Sequence, residues 1–166
     1  MIVIKDAMVM IHLAKMTLLE SSCKYFKDVM IPDLVYEEVI AGKEKGFLEV
    51  SVIESLINSK MIRVKKVKNE NYLKKANEFN IQRGEAESLS LYWQEKANYL
   101  AIDDDNVRRK SSLLNLRIIG TPVIILILYR KRLIDKDKFR SSLHELKRIG
   151  WFSNAVIDKI MEEAER

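Results

Sequence analysis

Acidic residues gather where strands and helices are predicted to begin or end. The clearest group is Asp103, Asp104 and Asp105, which directly follow the apolar run 99–102. That run is typical of a buried strand, and ligands of α/β sheets bind beyond the carboxyl ends of strands. Adjacent carboxylates repel one another unless a positive charge neutralises them. The group therefore forms either a solvated turn or part of a metal site.

Three other segments place acids at comparable positions. One is the end of the apolar run 2–5, and the others are the starts of two predicted helices. Mg²⁺ and Mn²⁺ prefer oxygen ligands, commonly a few carboxylates completed by water. Four segments that each supply a carboxylate therefore favour a divalent metal site. The acids in the three additional segments are Asp6, Glu37, Glu38, Glu85 and Glu87.

Each acid also has a simpler explanation that involves no metal. Asp6 is suited to cap a helix, and Glu85 and Glu87 are suited to offset the dipole of the helix that they open. At least one of the three consecutive aspartates is expected to cap the helix that follows them. The sequence has no Gly-x-Ser-x-Gly, glycine-rich phosphate loop or Cys/His pair, which argues against nucleophilic catalysis.

Basic residues accompany the acids. The chain carries 29 Lys and Arg against 24 Asp and Glu, a net charge of +5 that is compatible with a phosphate-bearing partner. Phosphate contacts supply most of the sequence-independent affinity for nucleic acids. For any single lysine, an ordinary solvated surface is the simpler explanation. The candidates for phosphate contacts are Lys43, Arg83, Arg108 and Arg109.

The cysteine and histidine content bears on compartment and metal type. Cys23 is the only cysteine, so no disulfide forms within the chain, and with no signal peptide we expect a cytoplasmic protein. His12 and His144 are far apart, which argues against a structural zinc site. The longest apolar run, 123–129, is too short to span a bilayer, so no membrane association is expected.

Apolar runs typical of strands alternate with amphipathic segments typical of helices. This alternation predicts an α/β fold with a mainly parallel central sheet and helices on both faces. With five Gly and two Pro, no linker is evident, so residues 1–166 are expected to form a single domain. The predicted strands are 2–5, 29–31, 61–65, 99–102 and 117–119.

Helix boundaries are suggested by capping residues. Asp33 is predicted to cap the helix that carries Glu38, and Thr121 to cap a helix with Pro122 at its first position. Trp151 and Phe152 are expected to anchor the C-terminal helices, with stacking on bases as the alternative. The further helical segments are 48–58, 70–79, 85–96 and 123–132, followed from about residue 135 by helices 136–148 and 153–165 that pack on the core.

The order of these motifs resembles the PIN-domain family, in particular the VapC-like ribonucleases. The similarity runs from Met1 to about Glu163 and includes an early acid, a helix start with two acids, a strand ending in acids and a final Gly-Thr. Each motif alone is weakly specific, but their order and spacing together are fairly specific. The segments concerned are Asp6, Ile31–Val39, Arg83–Leu91, Ala101–Asp105 and Ile118–Thr121.

The resemblance implies a Rossmann-like α/β/α sandwich in which three or four acids converge at one sheet edge. These acids would hold one or two Mg²⁺ or Mn²⁺ ions for the hydrolysis of RNA. Matched by position, the catalytic residues and metal ligands would be Asp6, Glu38, Glu87 and Asp103.

Two of these positions have competitors. Glu85 competes with Glu87 for the third position. For the fourth, the subgroup's spacing favours Asp103 followed by Asp104, whereas the wider family's hydroxyl-x-acid pattern makes Asp105 the ligand.

The chain also departs from the family's pattern. Ala7 and Met8 stand where a Ser or Thr often follows the first acid, Glu87 replaces an Asp, and Asp103 replaces a hydroxyl. The acidic pocket is retained, but these changes predict weaker catalysis.

The sequence therefore supports two candidate functions. The first is a metal-dependent endoribonuclease acting on single-stranded RNA, of the toxin type, which implies a cognate antitoxin protein as partner. The resemblance also suggests a homodimer. The alternative is a catalytically weak PIN-fold module that binds RNA or protein without cutting.

Overall fold

A five-stranded, all-parallel sheet with helices on both faces forms the centre of the molecule. The computed structural model describes residues 1–150 and 152–166. In chain order the elements are β1 (Ile2–Lys5), α1 (Ala7–Lys15), α2 (Leu19–Phe26), β2 (Asp28–Pro32), α3 (Asp33–Ala41), α4 (Leu48–Asn58), β3 (Ile62–Lys65), α5 (Glu70–Glu78), α6 (Arg83–Gln94), β4 (Tyr99–Ala101), α7 (Asp105–Arg109), β5 (Ile118–Ile119), α8 (Thr121–Arg130), α9 (Lys136–Ile149) and α10 (Asn154–Glu165).

The strand order β3-β2-β1-β4-β5 puts the first strand in the middle of the sheet. The chain builds outward from β1 to β3 and then crosses back to place β4 on the other side of β1. Lys5 pairs with Ala101, and the Asp6 N–H donates to the Ala101 carbonyl over 3.0 Å. The carboxyl ends of β1 and β4 are therefore neighbours at the point where the topology switches direction, which is where α/β sheets bind ligands.

Alternate strand residues build two apolar cores, one on each face of the sheet. Val3 faces the larger core with α1, α2 and α8, whereas Ile4 faces the smaller core with α6. Side chains of a strand point to opposite faces in turn, and strands buried on both faces read as continuous apolar runs. This burial explains why the strands could be found in the sequence, all within two residues of their predicted bounds.

The sheet is entirely parallel, which confirms the expected mainly parallel sheet. Three helix starts differ from the sequence-based expectations. Asp33 is the first residue of α3 and Pro32 occupies its cap position, while Gly120 rather than Thr121 precedes α8. The helix expected at 85–96 starts at Arg83, so Glu85 lies in the first turn of α6 and Glu87 follows that turn.

The C-terminal helices α9 and α10 both pack against α8. Ser153 caps α10 by accepting a hydrogen bond from the Val156 N–H over 3.3 Å. Phe152 packs partly against the larger core, while Trp151 lies outside the described residues. Among the described helices, none is both long enough and apolar enough to cross a membrane.

Candidate functional site

Two adjoining cavities lie at the switch point of the sheet and share the side chains of Asp6, Met8 and Glu85. The first cavity, of about 610 Å³, extends past the end of β4 towards the start of α10. The second, of about 510 Å³, extends towards α3 and the start of α6. Asp6 and Glu85 therefore stand where the two cavities meet.

Asp6 is a buried carboxylate at the centre of this region. It follows β1 at the cap position of α1, and its side chain is 6% exposed. Among the described residues it has no salt-bridge partner. Its Oδ1 accepts a long hydrogen bond of 3.4 Å from Ser88 Oγ, and the Ala7 backbone also donates a hydrogen bond to the carboxylate. Burial, together with the negative charges of Glu85 and Glu38, raises the pKa of Asp6 to about 7. A cation beside Asp6 would relieve this cost.

Glu85 and Glu87 have different surroundings. Glu85 lines both cavities, and its pKa is raised to about 7 by burial and by the nearby charges of Asp104 and Glu38. Glu87 instead points to α3, where its Oε2 accepts a hydrogen bond of 2.9 Å from the Leu34 N–H in the first turn. Of the two competitors, Glu85 belongs to the acidic cluster and Glu87 caps a helix.

Glu38 approaches from α3 and lies against the backbone of Gly84. A hydrogen bond from the Gly84 backbone and the charge of Arg83 lower the pKa of Glu38, but burial outweighs both and raises it. A Cβ placed on Gly84 would lie 2.5 Å from Glu38 Oε1, so a larger residue there would force the carboxylate to move. The Arg83–Gly84 pair therefore positions Glu38 beside the second cavity.

The three aspartates after β4 are separated in function by their hydrogen bonds. Both oxygens of Asp103 are engaged: Oδ1 accepts from the Thr121 N–H at 2.7 Å, and Oδ2 from Thr121 Oγ1 at 2.6 Å and from His12 Nδ1 at 2.9 Å. Asp104 caps α7 through a 3.1 Å bond from the Val107 N–H. Asp105 is exposed at the cavity edge, so Asp104 is the member that faces Glu85.

The basic candidates fall into two groups. Arg83 lines the second cavity and Arg108 the first. Lys43 instead pairs with Glu54 on α4 over 3.1 Å, and Arg109 is exposed on α7 and lines neither cavity. The positive charges nearest the acids are thus one arginine on each side.

Sequence reasoning missed two polar residues of the site. Ser88 supplies Asp6 with a hydroxyl from α6, in a chain that has Ala7 and Met8 where relatives often place one. Ser88 lies three residues after Glu85 and hence on the same face of the helix. This spacing could have predicted that Ser88 belongs to the site. His12 is 91 residues from Asp103, and no local pattern connects them.

The donor chemistry of this cluster fits a hard divalent cation. Among the described residues, no three His, Cys, Asp or Glu side chains close around one point as a finished metal site. The fit lies in the charge, since burial and neighbouring carboxylates raise the pKa of both Asp6 and Glu85, and neither has a salt-bridge partner among the described residues. Mg²⁺ keeps several waters when it binds to one or two carboxylates, and the cavities leave room for them.

Comparison with known proteins gives the family. Residues 2–166 match the family model described as a PIN domain, a nuclease-type fold whose nucleases typically use divalent metals. No curated protein and no solved structure matched the chain. The family match spans nearly the whole sequence and agrees with the parallel sheet and its acidic switch point. This chain belongs to the PIN-domain family.

Proposed function

We propose that this protein is a metal-dependent endoribonuclease that hydrolyses single-stranded RNA. The observation that carries this proposal is the buried Asp6 carboxylate, which lacks a cationic partner among the described residues and lies among other acids at the switch point. Such an arrangement is costly for a protein that binds no cation. Within a nuclease-type fold, a divalent ion is the partner that this chemistry requires.

The proposed ligands are the carboxylates that influence one another at the meeting point of the cavities. When bound, the ion supplies hydroxide near neutral pH and stabilises charge on the attacked phosphate. Asp103 has a positioning role, since its two oxygens hold His12 and Thr121. The proposed ligand set is Asp6, Glu38, Glu85 and Asp104.

The substrate follows from the shape and charge of the site. Arg83 and Arg108 lie on either side of the acids, where they can contact phosphates next to the one that is cleaved. A single strand can bend its backbone into such cavities, whereas an RNA duplex is a stiff helix recognised by its shape. We therefore propose single-stranded RNA as the substrate.

The test is cleavage of mixed-sequence RNA with Mg²⁺ or Mn²⁺. We expect slow internal cleavage that leaves 5′-phosphate and 3′-hydroxyl ends and stops when a chelator is added. Asp6→Asn should lower the rate by at least about 100-fold, the scale expected when one electrostatic element of an active site is lost. The matched variant Asp137→Asn, on the exposed surface of α9, should cleave normally. Cleavage that survives chelation, or ends carrying 2′,3′-cyclic phosphate, would refute the proposal.

The toxin role, the antitoxin partner and the cytoplasmic location are parts of the same proposal. They rest on the resemblance to VapC-like ribonucleases. A small protein encoded beside this gene should bind the purified chain and stop RNA cleavage. If no neighbouring product binds, the nuclease is not half of a toxin–antitoxin pair.

A second candidate is a PIN-fold module that binds RNA without cutting it. One observation favours it: both oxygens of Asp103, which the resemblance makes a catalytic residue, are already occupied by hydrogen bonds. The cleavage assay separates the candidates, since this module would bind RNA and leave it intact with any divalent ion.

A further inference from the structure

The first cavity has an apolar wall that metal binding does not require. Besides the acids, its lining includes Met8 of α1 and Phe152 and Val156 of the C-terminal region. Met8 is 44% exposed and Val156 39% exposed, so these side chains face open space as well as packing on the protein. Metal binding needs oxygen donors alone, so this wall is suited to a different part of a ligand.

His12 adds an unpaired polar atom to the same cavity. The residue is 4% exposed, and its Nδ1 lies 2.9 Å from Asp103 Oδ2. Thr121 donates its N–H to Asp103 Oδ1 and its hydroxyl to Asp103 Oδ2. An ionised carboxylate only accepts hydrogen bonds, so Nδ1 carries the proton and Nε2 is left to pair elsewhere.

The Nε2 atom has no partner. It is buried, and none of the described residues offers it a hydrogen bond. Buried polar atoms are nearly always satisfied, so an exception at a cavity wall points to a ligand. The Phe152 ring meets the imidazole edge-on, with ring centroids 5.9 Å apart, so ring and imidazole bound the same corner of the cavity.

We propose that the first cavity binds a base of the RNA, with Phe152 as the stacking surface and His12 Nε2 as the atom that contacts the base edge. Unpaired RNA bases are recognised by this combination of aromatic stacking and hydrogen bonding at their edges. With about 610 Å³, the cavity has room for a base. This inference rests on the proposed function, because RNA is the ligand.

The stacked base belongs to a nucleotide next to the cleaved phosphate. The apolar wall and the acids line one cavity, so a phosphate near Asp6 would carry its neighbouring base towards Phe152. Arg108 lines the same cavity and can hold a second phosphate. His12 is therefore a specificity-determining residue, and the enzyme should discriminate between bases at this position.

The test measures RNA binding without cleavage. In an Asp6→Asn background with Mg²⁺, affinities are measured by fluorescence anisotropy for labelled single strands of poly-A, poly-C and poly-U and for an abasic strand of equal length. At least one homopolymer should bind about tenfold more tightly than the abasic strand, the size expected from stacking of a base on an aromatic ring. Because no cleavage is needed, failure of the nuclease proposal does not affect this readout.

Three further variants in this background assign the effect to the two residues. Phe152→Leu keeps apolar packing but removes the ring, and it should remove the tenfold advantage while leaving binding of the abasic strand unchanged. Phe152→Trp should retain the advantage. His12→Leu should bring the affinities for the three homopolymers to within about twofold of one another, since a hydrogen bond to the base edge is lost.

The matched control is Tyr25→Leu, a half-buried aromatic residue on α2 that lines neither cavity. It should change no affinity, and thermal melting of each variant checks that the fold is retained. The proposal is overturned if no strand binds, if Phe152→Leu weakens base-bearing and abasic strands equally, or if His12→Leu leaves the preference between bases intact.

Discussion

Glu85 and Glu87 lie two positions apart on α6 but are predicted to have opposite mutational effects. Glu85→Ala removes a proposed metal ligand, so RNA cleavage should fall by at least about 100-fold with little loss of stability. Glu87→Ala removes the acceptor for the Leu34 N–H, so the free energy of unfolding should fall by about 1 kcal/mol. Cleavage rates and urea unfolding of the two variants check this pair, and equal loss of activity in both would contradict it.

Asp6 predicts a pH dependence of the metal-free protein. Its pKa rises from 3.8 to about 7 on folding, so its favourable contribution is complete below pH 4 and is lost as the pH rises through 7. In chelator, the melting temperature of wild type relative to Asp6→Asn should therefore fall by about 5 °C between pH 5 and pH 8. Adding Mg²⁺ at pH 8 should reverse most of the loss, since the ion binds only the folded state. If the difference in melting temperature between the two proteins does not change with pH, Asp6 is not a buried, unneutralised carboxylate.

Lys5 is a second buried charge, on the other face of β1 from Ile4. Its Nζ donates to Ser22 Oγ at 2.5 Å and lies 5.4 Å from the centre of the Phe26 ring, with no carboxylate partner among the described residues. Burial lowers the pKa of Lys5 from 10.5 to about 8. Its favourable contribution is therefore complete above pH 10.5 and is lost as the pH falls through 8.

The Lys5→Met variant measures this contribution. At pH 7 it should unfold with a free energy higher than that of wild type, by at most about 3 kcal/mol, because no amine has to be buried. The difference should vanish near pH 10.5. The measurement is urea unfolding of both proteins across this range, and a constant difference at all pH values would show that packing rather than charge is responsible.

At the scale of elements, the contact between α3 and the start of α6 sets the position of Glu38. Gly84→Ala would bring a Cβ to 2.5 Å from Glu38 Oε1 and push the carboxylate away. Mg²⁺ affinity, measured by calorimetry, should fall by about tenfold, the scale of effects on metal ligands from supporting residues. Shortening the acid in the double variant Gly84→Ala/Glu38→Asp should recover part of this loss. If Gly84→Ala binds Mg²⁺ as wild type does, Glu38 is not a ligand.

The elements were predictable because their signals are local. Buried parallel strands read as continuous apolar runs, and acids at their ends could be recognised without the structure. The choice between Glu85 and Glu87 depends on which face of α6 is turned towards α3. The sequence does not show this, because Leu34, the partner of Glu87, is 53 residues away. The contact between His12 and Asp103 depends in the same way on the pairing of β1 with β4, which no local pattern encodes.

At the scale of the whole molecule, the apolar side chains of α8 are covered within the chain. Ile124, Ile125, Leu126 and Leu128 are buried, and α8 packs against α9 and α10. α8 therefore leaves little apolar surface for a contact between two copies. Exposed apolar side chains occur instead at the start of α4, where Phe47 is 54% exposed and Leu48 81% exposed.

We predict that this chain forms a homodimer through the start of α4. Phe47, Leu48 and Val52 form a patch that two copies can share, because a twofold contact places the same surface of each copy together. Light scattering at tens of micromolar should give twice the 19.4 kDa of one chain. Leu48→Lys should shift the protein to monomer, since it buries an unpaired charge in the contact. Leu113→Lys, at another exposed leucine outside α4, should remain dimeric. A monomeric wild type, or a dimer that Leu48→Lys leaves intact, would contradict this assembly.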